Sequence, residues 1–341
     1  MNIRLKDIAE KCGVSINTVS HILNRDRGDL YDQKLVARIK KTAAAMNYKP
    51  SRAAQSLVLN RSRIIGFVVL SDASDGQVQH YNEYPFLLGL SHELYKQSYH
   101  TMLVEMKELG GEELPALLRD RIFDGLIIHA GYGERLTSML SRIDIPMIFW
   151  DCGLFSETDS IDRNERTIAR RLVEELISLG HTRIAFHAGS VTAWKRYTSG
   201  GESHFSYAAR YESYRDVTAS RGLKENIMTG YDIGTVASQL SSMDSTAVVT
   251  LGDSVIPRII MAAQTIGRSV PKDISIAVFD RNERITTGGA LIPGGAPYDR
   301  YAAGEQAGCM LLRKIAAGKP VPSAVLPAGF DHGETISNAR S

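Results

Sequence analysis

Residues 14–24 read Val-Ser-Ile-Asn-Thr-Val-Ser-His-Ile-Leu-Asn. Val19, Ile22 and Leu23 recur at helical spacing, while Asn17, Thr18, Ser20 and His21 fill positions where a surface helix usually shows Lys and Glu to water. Such side chains suit contact rather than bond-making. Amide and imidazole groups can reach base edges in a DNA major groove, and hydroxyls suit phosphate oxygens. A second polar set lies far down the chain. Several β-branched runs end in polar or charged residues, at Ser71–Asp72, Asp151, Asp253 and Asp280. In open α/β sheets the carboxyl ends of the strands face a ligand crevice, so these residues are expected to line a cleft. Neither set makes a catalytic constellation. G-x-S-x-G, H-E-x-x-H, G-x-x-x-x-G-K-[ST] and a G-x-G-x-x-G after a strand are all missing, which argues for a binding module and against an enzyme. His181, in a turn before a strand, reads as structural. Cys12, Cys152 and Cys309 lie more than a hundred residues apart with no C-x-x-C pairing, and suggest neither a disulfide framework nor a zinc site. No cofactor or metal is expected.

The elements that must hold these residues fall into two parts. Leu5, Ile8 and Ala9 form an apolar stripe that Gly13 ends, and Ser15 can cap the next segment by accepting a bond from the Thr18 amide. After a loop, a third helix is predicted from about Asp32 to Asn47, with Leu35, Val36, Ile39, Ala43 and Met46 inward, and Pro50 breaks it. Helix, Gly-containing turn and short polar-faced helix make a helix-turn-helix. From Ile64 the pattern becomes short runs (IIGFVVL, HTMLVE, DGLIIH, IPMIFWD, TRIAFHAG, STAVVTLGD, DISIAVFD) separated by helical segments such as Thr167–Leu179 and Ser254–Ile266. This alternation predicts parallel sheets with helices on both faces, and the number of units predicts two lobes with a crossing near Asp162–Asn164. The 341 residues suit two or three domains. Residues 1–63 hold 13 Lys and Arg against 5 Asp and Glu, whereas the remainder holds 27 against 33. A basic head on a mildly acidic body points to a polyanion as the partner of the head alone. The longest apolar run is far below the ~20 residues a membrane helix needs, and the N-terminus has no apolar leader, so no membrane contact and a cytoplasmic location are expected.

RLKDIAEKCGVSINTVSHILN, then AMNYKPSRAAQSL, then FDGLIIHAG, ELISLGHTRIAFHAG, ARYESYRDVTASRGL, VPKDISIAVFD and LPAGFDHGETIS in this order resemble the lactose/galactose repressor (LacI/GalR) family of bacterial transcription regulators. The resemblance spans essentially the whole chain. It implies an all-α helix-turn-helix head (residues 1–50), a hinge helix and linker (51–63), and a two-lobed α/β body like the periplasmic binding proteins (64–341), its parallel sheets flanked by helices. The first lobe would hold about 64–162 and 292–322, the second 163–291 and 323–341. Partners would be a palindromic double-stranded DNA operator, a second copy of the chain in a homodimer, and a small-molecule effector, a sugar or sugar derivative. A nucleobase or protein corepressor is the alternative effector, and a solute receptor the alternative function. By the same resemblance Ile16, Asn17 and His21 would read bases, and Leu5, Ser15, Thr18, Ser20 and Asn24 would hold phosphates. Tyr48, Ser51, Arg52 and Leu57 would add contacts toward the hinge, Leu57 as a minor-groove wedge. His21 departs from the family's usual Arg. Arg210 would grip a ligand with Asp280 as its acidic partner, Asp151 and Asp253 would line the cleft, and Tyr84, Phe86, Trp150 and Trp194 are candidates to stack on a sugar face. Arg210 and Asp280 could instead pair as a salt bridge within the second lobe.

Overall fold

The computed structural model describes residues 3–24, 27–49, 61–71, 83–107, 122–129, 140, 143–201, 203–282, 291–327 and 329–340. At the N-terminus α1 (Leu5–Cys12), α2 (Ile16–Leu23) and α3 (Gln33–Ala45) pack Ile8, Ala9, Cys12, Val19, Ile22, Val36, Ile39 and Ala43 into a small core. Gly13, at φ 62°, ends α1 in the left-handed conformation that glycine adopts without penalty. The Thr18 amide donates to Ser15 Oγ at 3.1 Å, so the cap read from the sequence opens α2. Asp32 does the same for α3, accepting from Lys34 and Leu35. Leu35 and Met46, expected inward, are only partly buried against this core.

The body alternates strand and helix. Its elements are β1 (Ile64–Ser71), α4 (Tyr84–Tyr95), β2 (His100–Lys107), β3 (Gly125–His129), β4 (Met147–Trp150), β5 (Ser160–Arg163) and α5 (Glu165–Ser178), followed by β6 (Ile184–His187), α6 (Val191–Thr198), α7 (Phe205–Ser220), β7 (Asn226–Met228) and α8 (Ile233–Ser242). The chain then runs through β8 (Ala247–Thr250), α9 (Ile256–Thr265), β9 (Ser275–Asn282), β10 (Gly294–Tyr298), α10 (Arg300–Ala317) and β11 (Ala324–Leu326). One sheet has the order β11-β5-β4-β3-β1-β2 and the other β10-β9-β8-β6-β7, all parallel. In the second sheet α5 and α7 cover one face and α8 and α9 the other, which is why its central strands read as unbroken apolar runs: Ala247, Val248 and Val249 are wholly buried, as are Leu126, Ile127 and Ile128 of β3 in the first sheet.

The first crossing between lobes falls where the sequence places it, after Arg163. The other two do not. Residues 292–298 were expected in the first lobe, yet β10 lies beside β9 in the second sheet. Residues 323–326 were expected in the second lobe, yet β11 lies beside β5 in the first. The physical reason for β10 is its glycines. A Cβ on Gly295 would collide with the Val278 carbonyl, so only the bare backbone lets this segment close onto β9. His181 is structural, as read: buried, with Nδ1 on Thr246 Oγ1 and Nε2 within 3.1 Å of Ser275 Oγ and the Ser337 carbonyl. Among the described residues no helix is long and apolar enough to cross a membrane.

Candidate nucleic-acid interface and interlobe site

On α2 the buried face is Val19 and Ile22, which leaves Ser15, Ile16 and Asn17 exposed and Thr18, Ser20 and His21 half-buried. Ile16 is 48% exposed, a large aliphatic offered to water at the start of the helix. Asn17 beside it has a free surface from which a carboxamide can bond adenine in bidentate fashion. His21 Nδ1 lies 2.8 Å from the Tyr31 hydroxyl, so the loop after α2 orients the ring. Leu5 and Tyr48 lean on the head core and are half-buried. Asn24 departs from expectation. It is 4% exposed and ends α2, a position set by the packing of Ile22 and Leu23 beside it, and its side chain is not offered to a phosphate. Ser51, Arg52 and Leu57 lie outside the described residues. Just past them the Ser62 and Arg63 amides donate to the Asp124 carboxylate at 2.8 and 2.9 Å, pinning the chain to the start of β3.

The second candidate site lies where the chain passes between lobes. Arg163 ends β5, Glu165 and Arg300 begin α5 and α10, Arg210 lies in α7 and Asp280 in β9. All five are brought together. Arg210 Nε donates to Glu165 Oε2 at 2.7 Å and Nη1 to the Leu251 carbonyl at 3.0 Å, while Nη2 stands 3.8 Å from Asp280 Oδ2. Arg300 Nη2 donates to Asp280 Oδ2 at 2.6 Å. Arg163 Nη1 sits 3.5 Å from Glu165 Oε1 and 3.4 Å from Asp280 Oδ1, and its Nη2 donates to the Phe279 carbonyl. Burial opposes the charge on Asp280, but Arg300, Arg163 and Arg210 outweigh it and hold its carboxyl far below the usual carboxylate range. Arg210 and Arg300 are likewise disfavoured by burial, and the carboxylates around them more than restore the charge. The salt bridge considered from the sequence, Arg210 with Asp280, is present only as the 3.8 Å contact, and the shorter pairing of Arg210 is with Glu165. That shorter pairing ties α7 to α5 within the second lobe.

Tyr298, the last residue of β10, lies under both Arg163 and Arg300, whose guanidinium carbons are 4.4 and 4.5 Å from its ring centre. Trp150 Nε1 donates to its hydroxyl at 2.7 Å. Trp150 is 1% exposed, with Phe86 stacked at 3.5 Å and His129 at 4.2 Å between ring centres. Two rings so close to one indole must lie on opposite faces. Trp150 and Phe86, expected as platforms for a sugar, therefore belong to the first lobe's core, because protein rings already cover the indole. Trp194 packs edge-on against Tyr211 at 5.1 Å, apart from the ionic cluster, and Tyr84 is largely exposed. Asp253 is buried in a short turn ahead of α9. Asp151 follows β4 in the left-handed region at φ 53°, and its Oδ1 is buried without a hydrogen-bond partner, as is Oδ2 of Asp162. Burial raises the pKa of Asp162.

Arg163, Glu165, Tyr298, Arg300 and the Glu83–His129 pair were missed from the sequence. Arg163 had a usable signal, since it closes a strand at the crossing itself, but Ser-Ile-Asp-Arg is too short and polar to read as one. Glu165 and Arg300 look like ordinary first-turn residues, each following a capping Asn164 or Asp299.

Residues 4–51 match the profile of bacterial regulatory proteins of the lacI family, and residues 173–335 match that of a periplasmic binding protein-like domain. The chain belongs to the lacI family. It is 29% identical over 320 residues to the HTH-type transcriptional repressor PurR of Serratia proteamaculans, covering 91% of this chain and 90% of that one. To the HTH-type transcriptional regulator KdgR of Bacillus subtilis it is 26% identical over 290 residues, covering 82% and 81%. Its fold follows that of the lac repressor dimer bound to operator and the anti-inducer ONPF, with a TM-score of 0.78, 19% identity, and coverage of 99% of this chain and 100% of that one. As a lacI-family protein it is a DNA-binding transcriptional repressor rather than an enzyme. The two sites above are then the head that meets DNA and the ground between the lobes of its periplasmic-binding-like body.

Proposed function

We propose that this lacI-family repressor works as a homodimer on a palindromic operator, and that a hydroxylated small molecule, a sugar or sugar derivative, bound between the lobes controls its grip on DNA. Ile16, Asn17 and His21 read bases, Leu5, Ser15, Thr18 and Ser20 hold the backbone, and the hinge segment with Tyr48, Ser51, Arg52 and Leu57 completes the contact. The observation that carries the reading is the face of α2, where a capped helix on a small core exposes Ile16 and Asn17 instead of long charged side chains. For the effector, support comes from the crossing segments. Buried Asp151 Oδ1, Asp162 Oδ2, Asp280 Oδ1 and Arg300 Nε lack hydrogen-bond partners, and hydroxyl groups both donate to carboxylates and accept from guanidinium. A ligand that engages both lobes here shifts their relative position, and coupling of about 1–3 kcal/mol is typical of such switches. Selection of duplexes bound by the full chain, followed by footprinting with and without candidate sugars, tests this. Protection of two half-sites about one helical turn apart is expected. Protection of a single half-site by a monomer overturns the dimeric reading, and an operator affinity that no candidate alters counts against the sugar.

A further inference from the structure

Arg163 and Arg300 hold more donor capacity than the protein uses. Nε and Nη1 of both side chains are buried with no hydrogen-bond partner, although the two residues are only 2% and 5% exposed. The carboxylates within reach are already shared: Glu165 Oε2 accepts from Arg210, and Asp280 Oδ2 accepts from Arg300. Arg163 Nη1, at 3.4 and 3.5 Å from the remaining two oxygens, is attracted to them without making a hydrogen bond. Three guanidinium groups thus face two carboxylates, Glu165 and Asp280. Two more acids lie nearby, Glu83 at 3.4 Å from His129 and Asp151 at 4.0 Å from His204, and each keeps one buried oxygen, Glu83 Oε2 and Asp151 Oδ1, without a hydrogen-bond partner. Arg300 also occupies the first turn of α10, an 18-residue helix whose dipole is positive at that end and favours an anion there. The Tyr298 ring under both arginines is a weak partner that offers them no acceptor oxygen.

We propose that the interlobe ligand carries an oxyanion, a carboxylate or a phosphate, received by Arg163 and Arg300, with its hydroxylated part toward Asp151 and Asp162. This rests on the reading of the interlobe ground as the effector site, and narrows that effector to an acidic sugar derivative. Guanidinium donors match planar carboxylate and phosphate oxygens better than they match a single hydroxyl, and buried donors left unmade are those a ligand gains most by filling. The acceptors left open on the Asp151 and Asp162 side call for donors, which an acid group cannot supply and hydroxyls can.

The test is a thermal-shift series on the full chain with glucose and galactose against gluconate, glucuronate, galacturonate and glucose 6-phosphate, repeated on Arg300→Gln and Arg300→Lys. A Tm rise that grows with ligand concentration is expected with at least one acid and with neither neutral sugar. Carboxylate acids alone, or the phosphate ester alone, identifies which oxyanion is taken. Arg300→Gln should weaken that binding roughly ten- to hundredfold, and Arg300→Lys, which keeps the charge and melts as a folded control, should recover part of it. A rise with the neutral sugars equal to that with the acids, no rise with any acid, or a rise unchanged in Arg300→Gln overturns the anion assignment. The first of these outcomes leaves the interlobe effector reading standing. An acid that binds but leaves operator affinity untouched counts against the effector reading alone.

Discussion

The head and the interlobe cluster solve opposite problems with polar residues. On α2 the polar groups face water, each paired locally if at all: Ser15 with Thr18 three residues on, His21 with Tyr31 ten residues on. At the crossings the polar groups are charged, buried and paired over long range, Arg210 with Glu165 across 45 residues and Arg163 with Asp280 across more than a hundred. A change on the head should therefore alter binding and spare the fold, whereas a change in the cluster should strike the fold first. The difference lies in solvation. An exposed side chain loses little when its partner goes, while a buried charge left alone keeps the full desolvation penalty.

The largest effect expected from this contrast is at Arg210. Arg210→Ala removes the guanidinium hydrogen-bonded to Glu165, which is 2% exposed, leaves it only the 3.5 Å contact with Arg163, and should cost about 3–5 kcal/mol of ligand-free stability in denaturant unfolding. An unchanged midpoint would return Arg210 to the role expected from the sequence, a ligand contact with no structural duty. Asn17→Ala comes next and should do the reverse. Operator affinity should fall by about 1–3 kcal/mol while melting temperature and affinity for random DNA hold, as read by anisotropy on both duplexes. Equal losses on both duplexes would remove the base-reading role. Ser15→Ala sits between the two behaviours, because it opens α2; loss of the cap should cost the head about 1 kcal/mol, seen as a lower melting transition of the head.

The smallest effect is a pH dependence in the first lobe. Burial disfavours a charged His129, but Glu83 at 3.4 Å outweighs this and raises its pKa above 6.5, and Glu83 is lowered in turn. The folded state then binds the His129 proton more tightly than the unfolded chain does. That stabilisation is complete below pH 6.5 and is lost as pH rises through the raised pKa. Melting temperature should decline across that window, and His129→Gln should flatten the decline. A wild-type profile no steeper than that of the variant would show the pair to be uncharged.

Much of the molecule was legible before any coordinates. The α1–α2 turn at Gly13, the Ser15 cap, the α/β alternation and the first crossing all follow from local rules: a left-handed glycine, a hydroxyl beside a free amide, and apolar runs long enough to show a period. β5, β7 and β11 escaped because Ser-Ile-Asp-Arg, Asn-Ile-Met and Ala-Val-Leu are too polar or too brief to stand out as apolar runs, and the Gly-Gly-Ala-Pro-Tyr of β10 has no strand signature at all. Without β10 and β11 the second and third crossings were misplaced by one strand each.

By itself the sequence determined the class of protein, from motifs ordered along the whole chain, and the exposed polar face of α2, which rests on side chains within a helical turn or two of one another. Only the tertiary structure decided the company of Arg210 and Asp280. Arg163, Glu165, Tyr298 and Arg300 reach them from separate strand ends and helix starts, as the two sheets share the chain at its crossings. It also moved Trp150 and Phe86 from the ligand to the core. No local pattern reports a partner a hundred residues away, and the free energy of a buried charge depends on that partner.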